Sequence, residues 1–323
     1  MQKSAKNMIE VRDLTKYYGS YPAIENVSFT VKKGEIVGFL GPNGAGKTTT
    51  MRILTGFMPP SSGQAIIAGY DIVHQSLEAR KRIGYLPETV PLYLDMTVES
   101  YLQYMGTIRG MSSKAIRQRI SEVIDRCRLG DYTHSLIGKL SKGFRQRVGI
   151  AQAILHEPPV LIMDEPTIGI DPIQVVETRK LIKELGGEHT LILSTHILPE
   201  VSMVCERILV IHEGQIVAED RPTDLATRLQ GAERVELEVR GPSPEVMQTL
   251  RNIKGVQDIV RHRDGEVSSY TVTARRGSDL REEIARAIVS RGWGLLKMDV
   301  VAMSLEEIFL KLTIHEDLEE VKA

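Results

Sequence analysis

Apolar and polar residues alternate from Met8 to Val11 and again from Ala23 to Val31, the period of strands with one face buried. The pattern changes at Ile36–Leu40, a short unbroken apolar run that suits a strand covered on both faces. A glycine-rich turn follows. A helix is predicted from Lys47 to about Thr55 and is broken by the Pro59–Gly63 stretch. Residues from about 95 to 155 read as helical with one polar face. Three further buried strands are predicted at Pro159–Met163, Thr190–Ser194 and Arg207–Ile211, and a Glu213–Gly214 turn leads from the last into Gln215–Ala218. Strands alternating with helices predict an α/β fold around a mostly parallel sheet.

Pro222 and the polar stretch to Glu233 mark a boundary, giving one domain over residues 1–228 and another over 229–323. In the second, a strand at 234–240 precedes a helix that opens with Ser243 as cap and Pro244 in its first turn. Strands follow near 256–262 and 267–274, then a helix near 278–291 and a strand near 295–302. The order β-α-β-β-α-β predicts a small α+β, ferredoxin-like domain. A last helix is expected from Ser304, with Glu307 completing a capping box.

Composition narrows the classes. A chain of 323 residues has room for two domains. Its 41 basic and 42 acidic residues leave a net charge of -1, so nothing global draws it to nucleic acid. Cys127 and Cys205 have no metal-ligand spacing and point to a reduced, cytoplasmic protein. Residues 1–13 lack the apolar core of a signal peptide. No apolar run approaches the ~20 residues of a membrane helix, so a role at a membrane requires spans from another chain.

The chemistry begins at Gly41-Pro42-Asn43-Gly44-Ala45-Gly46-Lys47-Thr48, which fits GxxxxGK[ST] between a buried strand and a helix. Glycines let backbone N–H groups converge on phosphate, and the helix N-terminus adds positive potential. Lys47 is expected to reach the β- and γ-phosphates and Thr48 to ligate Mg²⁺, with Thr49 in the same cradle. Val160–Met163 then ends in Asp164 and Glu165. Asp164 is placed to hold the metal, and Glu165 to polarise an attacking water. The expected cofactors are ATP and Mg²⁺, and the expected reaction is ATP hydrolysis.

With these motifs the chain resembles the ATP-binding subunits of ABC transporters over roughly residues 8–225, a P-loop NTPase core with antiparallel β and helical subdomains. Further residues carry the resemblance. Leu140–Gln146 is similar to the signature motif, which implies that Ser141 and Gly143 meet the γ-phosphate of a nucleotide on a partner subunit. Asp171 falls in the D-loop position, His196 in that of the switch histidine and Tyr18 in that of the adenine-stacking aromatic. Glu88 stands at the Q-loop position. Two departures stand out: Lys142 and Phe144 replace Gly and Gln of the usual signature, and Glu88 replaces the usual glutamine.

The resemblance implies a dimer of identical or similar ATPases beneath integral membrane permease subunits, at the inner face of the cell membrane, with no nucleic acid. The second domain resembles the extension on ATPases paired with ABC-2-type exporters, with a dimerisation, regulatory or purely structural role. Leu92–Met96 suits either a contact with the permease or the core. Other ATPases of the P-loop class fit less well. ABC-type translation factors usually carry two ATP domains, DNA-organising relatives insert a coiled coil for which no heptads exist here, and P-loop kinases leave the signature and His196 unexplained.

Overall fold

The computed structural model describes residues 6–224, 234–263, 265–275 and 279–301. The expected helix from Ser304 lies outside them. The chain divides into two compact units, 1–222 and 223–323.

The first unit opens with β1 (Asn7–Tyr18) and β2 (Tyr21–Lys32), an antiparallel pair whose alternation of buried and exposed residues matches the sequence pattern. With β4 (Ser62–Ile67) and β5 (Tyr70–Asp71) they form a four-stranded antiparallel sheet ordered β2-β1-β4-β5. A second sheet holds β3 (Ile36–Leu40), β6 (Ile83–Leu86), β7 (Val160–Asp164), β8 (Thr190–Thr195), β9 (Arg207–His212) and β10 (Gln215–Asp220), in the order β10-β9-β3-β8-β7-β6. Its pairings are parallel except at the β9–β10 hairpin. Every residue of β3, β7 and β8 is buried, which is why these strands read as unbroken apolar runs.

The helices of this unit are α1 (Lys47–Leu54), α2 (Ser76–Lys81), α3 (Val98–Ile108), α4 (Ser113–Arg126), α5 (Lys142–Ile154), α6 (Pro172–Leu185) and α7 (Leu198–Val204); α1, α5 and α7 pack on that sheet, and α3 and α4 pack on α5. Thr97, Ser112, Ser141 and Asp171 cap α3 to α6, each side chain accepting from an amide of the first turn. Thus α3, α4 and α5 supply the helical stretch expected over 95–155. Among the described residues no helix is long and apolar enough to cross a membrane.

The second unit runs β11 (Arg234–Arg240), α8 (Ser243–Arg251), β12 (Val256–Arg263), β13 (Ser268–Ala274), α9 (Arg281–Val289) and β14 (Gly294–Val301). Its antiparallel sheet is ordered β12-β13-β11-β14. Val235, Leu237, Val246, Leu250, Val272, Ile284 and Ile288 form its core. One expectation fails: Ser243 does not cap α8. It already lies in the first turn, Pro242 stands at the cap, and the Ser243 hydroxyl accepts hydrogen bonds from Tyr270 Oη at 2.9 Å and Arg261 Nη1 at 3.1 Å. A tertiary contact has taken the oxygen that capping would use.

Candidate functional site

Register places the chemistry. Leu40 of β3 pairs with Thr195 of β8, and Asp164 of β7 pairs with Ser194 of β8. The glycine loop, the acid pair and His196 therefore leave neighbouring parallel strands at the same edge, where open α/β sheets bind ligands.

The loop after β3 is held tightly. Gly41 N–H donates to Thr195 O at 3.3 Å, and a Cβ at Gly41 would collide with the Ile211 carbonyl. Gly44 and Gly46 adopt φ of 86° and 102°, values that L side chains rarely reach. No side chain caps α1, unlike α3 to α6, so its N-terminus is left for an external anion. Lys47 Nζ is buried and donates to Gly41 O at 2.8 Å and Pro42 O at 3.0 Å. It also lies 3.4 Å from Glu165 Oε1.

Glu165 is buried between two cationic or polar groups, since His196 Nδ1 stands 3.0 Å from both its oxygens. Its backbone is left-handed, with φ of 48°, a strained state for a residue with a side chain. The Glu165 N–H donates to Ser194 O at 3.1 Å and to Ser194 Oγ at 3.2 Å. Beside it, Asp164 Oδ1 accepts from the Ser194 hydroxyl, while Oδ2 is buried with no hydrogen-bond partner. Burial pushes the Asp164 carboxyl above its ordinary value; the hydroxyls of Ser194 and Thr48 oppose this, and the charges of Glu165 and Glu88 reinforce it. A buried, unpaired carboxylate oxygen is costly unless something positive meets it. A hard cation bound also to phosphate fits that donor.

Lys47 and Glu165 face a cavity of about 490 Å³ that is also lined by Tyr18, Asn43, Gly44, Gly46, Thr48, Thr49 and Glu88, while Asp164 and His196 lie outside its lining. Gly41, Pro42 and Ala45 shape the loop from behind. The adjacent Tyr17 is not in this lining; its hydroxyl donates to Glu25. The cavity also takes in Tyr21, Ala23 and Ile168, which the sequence reading missed. Tyr21 had a legible signal: it pairs with Tyr18 across the two-residue Gly19-Ser20 turn.

Ser141, Gly143 and Asp171 lie away from this cavity. Ser141 Oγ accepts from Phe144 N–H at 3.4 Å and Asp171 Oδ1 from Gln174 N–H at 3.0 Å. A Cβ on Gly143 would strike Gln174, and one on Gly169 would strike the Lys142 ammonium, so the signature and D-loop segments touch each other. A second cavity, of about 610 Å³, shares Thr48 and Glu88 with the first and also takes in Asp164. Its other walls carry five aromatic side chains, Phe57, Tyr85, Tyr93, Tyr101 and Tyr104. Tyr93 and Leu94 are about half exposed, so this part of Leu92–Met96 is surface rather than core.

Comparison with known proteins accords with this geometry. The family model described as "ABC transporter" matches residues 24–168. The linearmycin resistance ATP-binding protein LnrL of Bacillus subtilis is 33% identical, with 95% of this chain and 98% of that protein aligned. The bacitracin transport ATP-binding protein BcrA of Bacillus licheniformis is 36% identical over 94% of this chain and 97% of its own. Among solved structures, a dimeric post-hydrolysis state of the ATP-binding cassette MJ0796 bound to ADP and Pi has a TM-score of 0.61 at 26% identity, covering 67% of this chain and 99% of that one. This chain belongs to the ATP-binding subunits of ABC transporters. It is an ATPase with the P-loop cassette fold.

Proposed function

We propose that two copies of this chain, or this chain and a similar ATPase, close on two ATP molecules and so drive an exporter-type permease. The observation that carries the reading is the single cavity joining Tyr18, the Gly44–Thr49 loop, Glu88 and Glu165. Tyr18 stacks on adenine. The amides of the loop and Lys47 hold the phosphates. Thr48 and Asp164, with Glu88 nearby, would hold Mg²⁺, which supplies neutralisation of phosphate charge. Glu165 accepts the proton of the attacking water, and His196 orients it and meets the γ-phosphate. Ser141 and Gly143 serve the nucleotide of the opposing subunit, with Asp171 beside them.

Relatives named for antibiotic resistance and transport support an outward direction. The aromatic-walled cavity is suited to a short segment of the permease, which holds the chain at the inner face of the membrane. The domain beyond about residue 228 is assigned to dimerisation or regulation. No nucleic acid enters this scheme.

The test is Glu165→Gln. The variant should bind ATP, lose about 10²–10⁴-fold in kcat, and run as a dimer by light scattering in ATP and Mg²⁺. A variant that stays monomeric overturns the shared-nucleotide scheme. Recovery of a multispanning protein in near-equal amount with a tagged chain from detergent-solubilised membranes would identify the permease.

A further inference from the structure

Glu200 is the third residue of α7 and is only 3% exposed. Its carboxylate is fully engaged. Oε2 accepts the Thr167 hydroxyl at 2.5 Å and the Thr195 hydroxyl at 3.1 Å, and Oε1 accepts from Arg179 Nη2 at 3.3 Å. Each partner belongs to a different segment around the site. Thr167 lies two residues beyond Glu165. Thr195 immediately precedes His196, and its oxygen also accepts the Ile197 N–H at 3.0 Å. Arg179 is on α6, the helix that Asp171 caps.

A buried carboxylate is retained only where its charge and lone pairs are matched. Here the match is made by groups that share one property: they flank Glu165, His196 and the D-loop. Glu165 sits in a strained backbone conformation, which persists only when its surroundings over-determine it. Its carboxylate lies 3.0 Å from His196, so a small relative slip of the two loops would separate them.

We infer that Glu200 is a positioning residue for ATP hydrolysis: it locks the loop after Glu165 to the loop of His196, and through Arg179 ties both to the helix that carries Asp171. It touches neither nucleotide nor water. It sets the distance between the two groups that do, and makes that distance depend on where α6 stands. The inference rests on the roles proposed for Glu165 and His196.

The experiment compares Glu200→Ala, Glu200→Gln and the pair Thr167→Val with Thr195→Val in the full chain, with Glu165→Gln alongside. Steady-state ATPase gives kcat and KM, and a fluorescent ATP analogue gives Kd. Glu200→Ala should lower kcat by about ten- to a hundredfold, the cost of a small misplacement of reacting groups, while KM and Kd move less than twofold. Glu200→Gln, which keeps one acceptor and lets the hydroxyls reverse, should recover most of the rate. The double Val variant should reproduce the loss with the carboxylate intact. Placed in a His196→Ala background, Glu200→Ala should add little, since both act through one arrangement.

An unchanged kcat, a fall in kcat matched by an equal loss of binding, or full additivity with His196→Ala would overturn the inference. Should Glu200→Ala fail to fold, Glu200→Gln and the Val pair decide by the same criteria. If Glu165→Gln itself hydrolyses ATP normally, the reading of the site fails; if it is inactive while the Glu200 and threonine variants are normal, only the inference fails.

Discussion

The two units solve the same problem, a sheet with helices against it, under opposite rules. In the second, β13 alternates buried and half-buried residues without a break, and the buried Tyr270 and Ser243 hydroxyls satisfy each other. In the first, β7 runs buried into Asp164, whose Oδ2 has no hydrogen-bond partner, and then into Glu165 with its left-handed backbone. Among the described residues, non-glycine residues with positive φ occur only in the first unit. Of these residues Glu165 is the one beside the candidate site, where local rules are expected to be broken.

That contrast can be broken by mutation. A loss of nucleotide affinity is expected from Lys47→Ala, which removes a buried cation bonded to two carbonyls beside Glu165. ATP affinity should fall about 10- to 100-fold, since a hydrogen bond to a charged group is worth about 1.5–3 kcal/mol. Titration with a fluorescent nucleotide measures this, and thermal unfolding of the second unit should not move. The converse is Ile284→Ala, in the core of the second unit. It should cost about 2–5 kcal/mol of that unit's stability, read as an earlier denaturant transition, with kcat unchanged. A large fall in kcat would show that the units are not energetically separable.

Acid gives the finest distinction. Burial, aided by Arg109, lowers the pKa of His156 from its ordinary value to about 4. The native state therefore resists a proton that the unfolded chain accepts. This contribution is whole above about pH 6.5 and is lost as pH falls toward 4. The first unit should lose on the order of 2–3 kcal/mol across that window. His156→Leu should flatten the dependence in pH-resolved unfolding, and the second unit should not respond to the substitution.

Much of the site was readable because it hangs on local patterns. An unbroken apolar run ending in Asp164-Glu165, or leading into glycines and Lys47, fixes both a strand and what projects from its end. The rest depended on residues distant in sequence. Ser243 looked like a cap because Ser-Pro often opens a helix, but Tyr270, from another strand, claims its hydroxyl. Glu200 was silent because an acid in a helix's first turn is already explained by the dipole; only the fold brings Thr167 and Arg179 to it. Lys142, a departure from the usual signature, has its ammonium against Gly169.

Thr48 and Glu88 belong to the walls of both cavities, and this has a thermodynamic corollary. A molecule seated in the aromatic-walled space and a nucleotide seated in the other share two side chains as boundary. Whatever factor one occupant imposes on the affinity of its neighbour must be returned in equal measure. The traffic of free energy through that partition therefore has no preferred direction of its own. Direction enters only with the irreversible step, the cleavage of the γ-phosphate on one side of it.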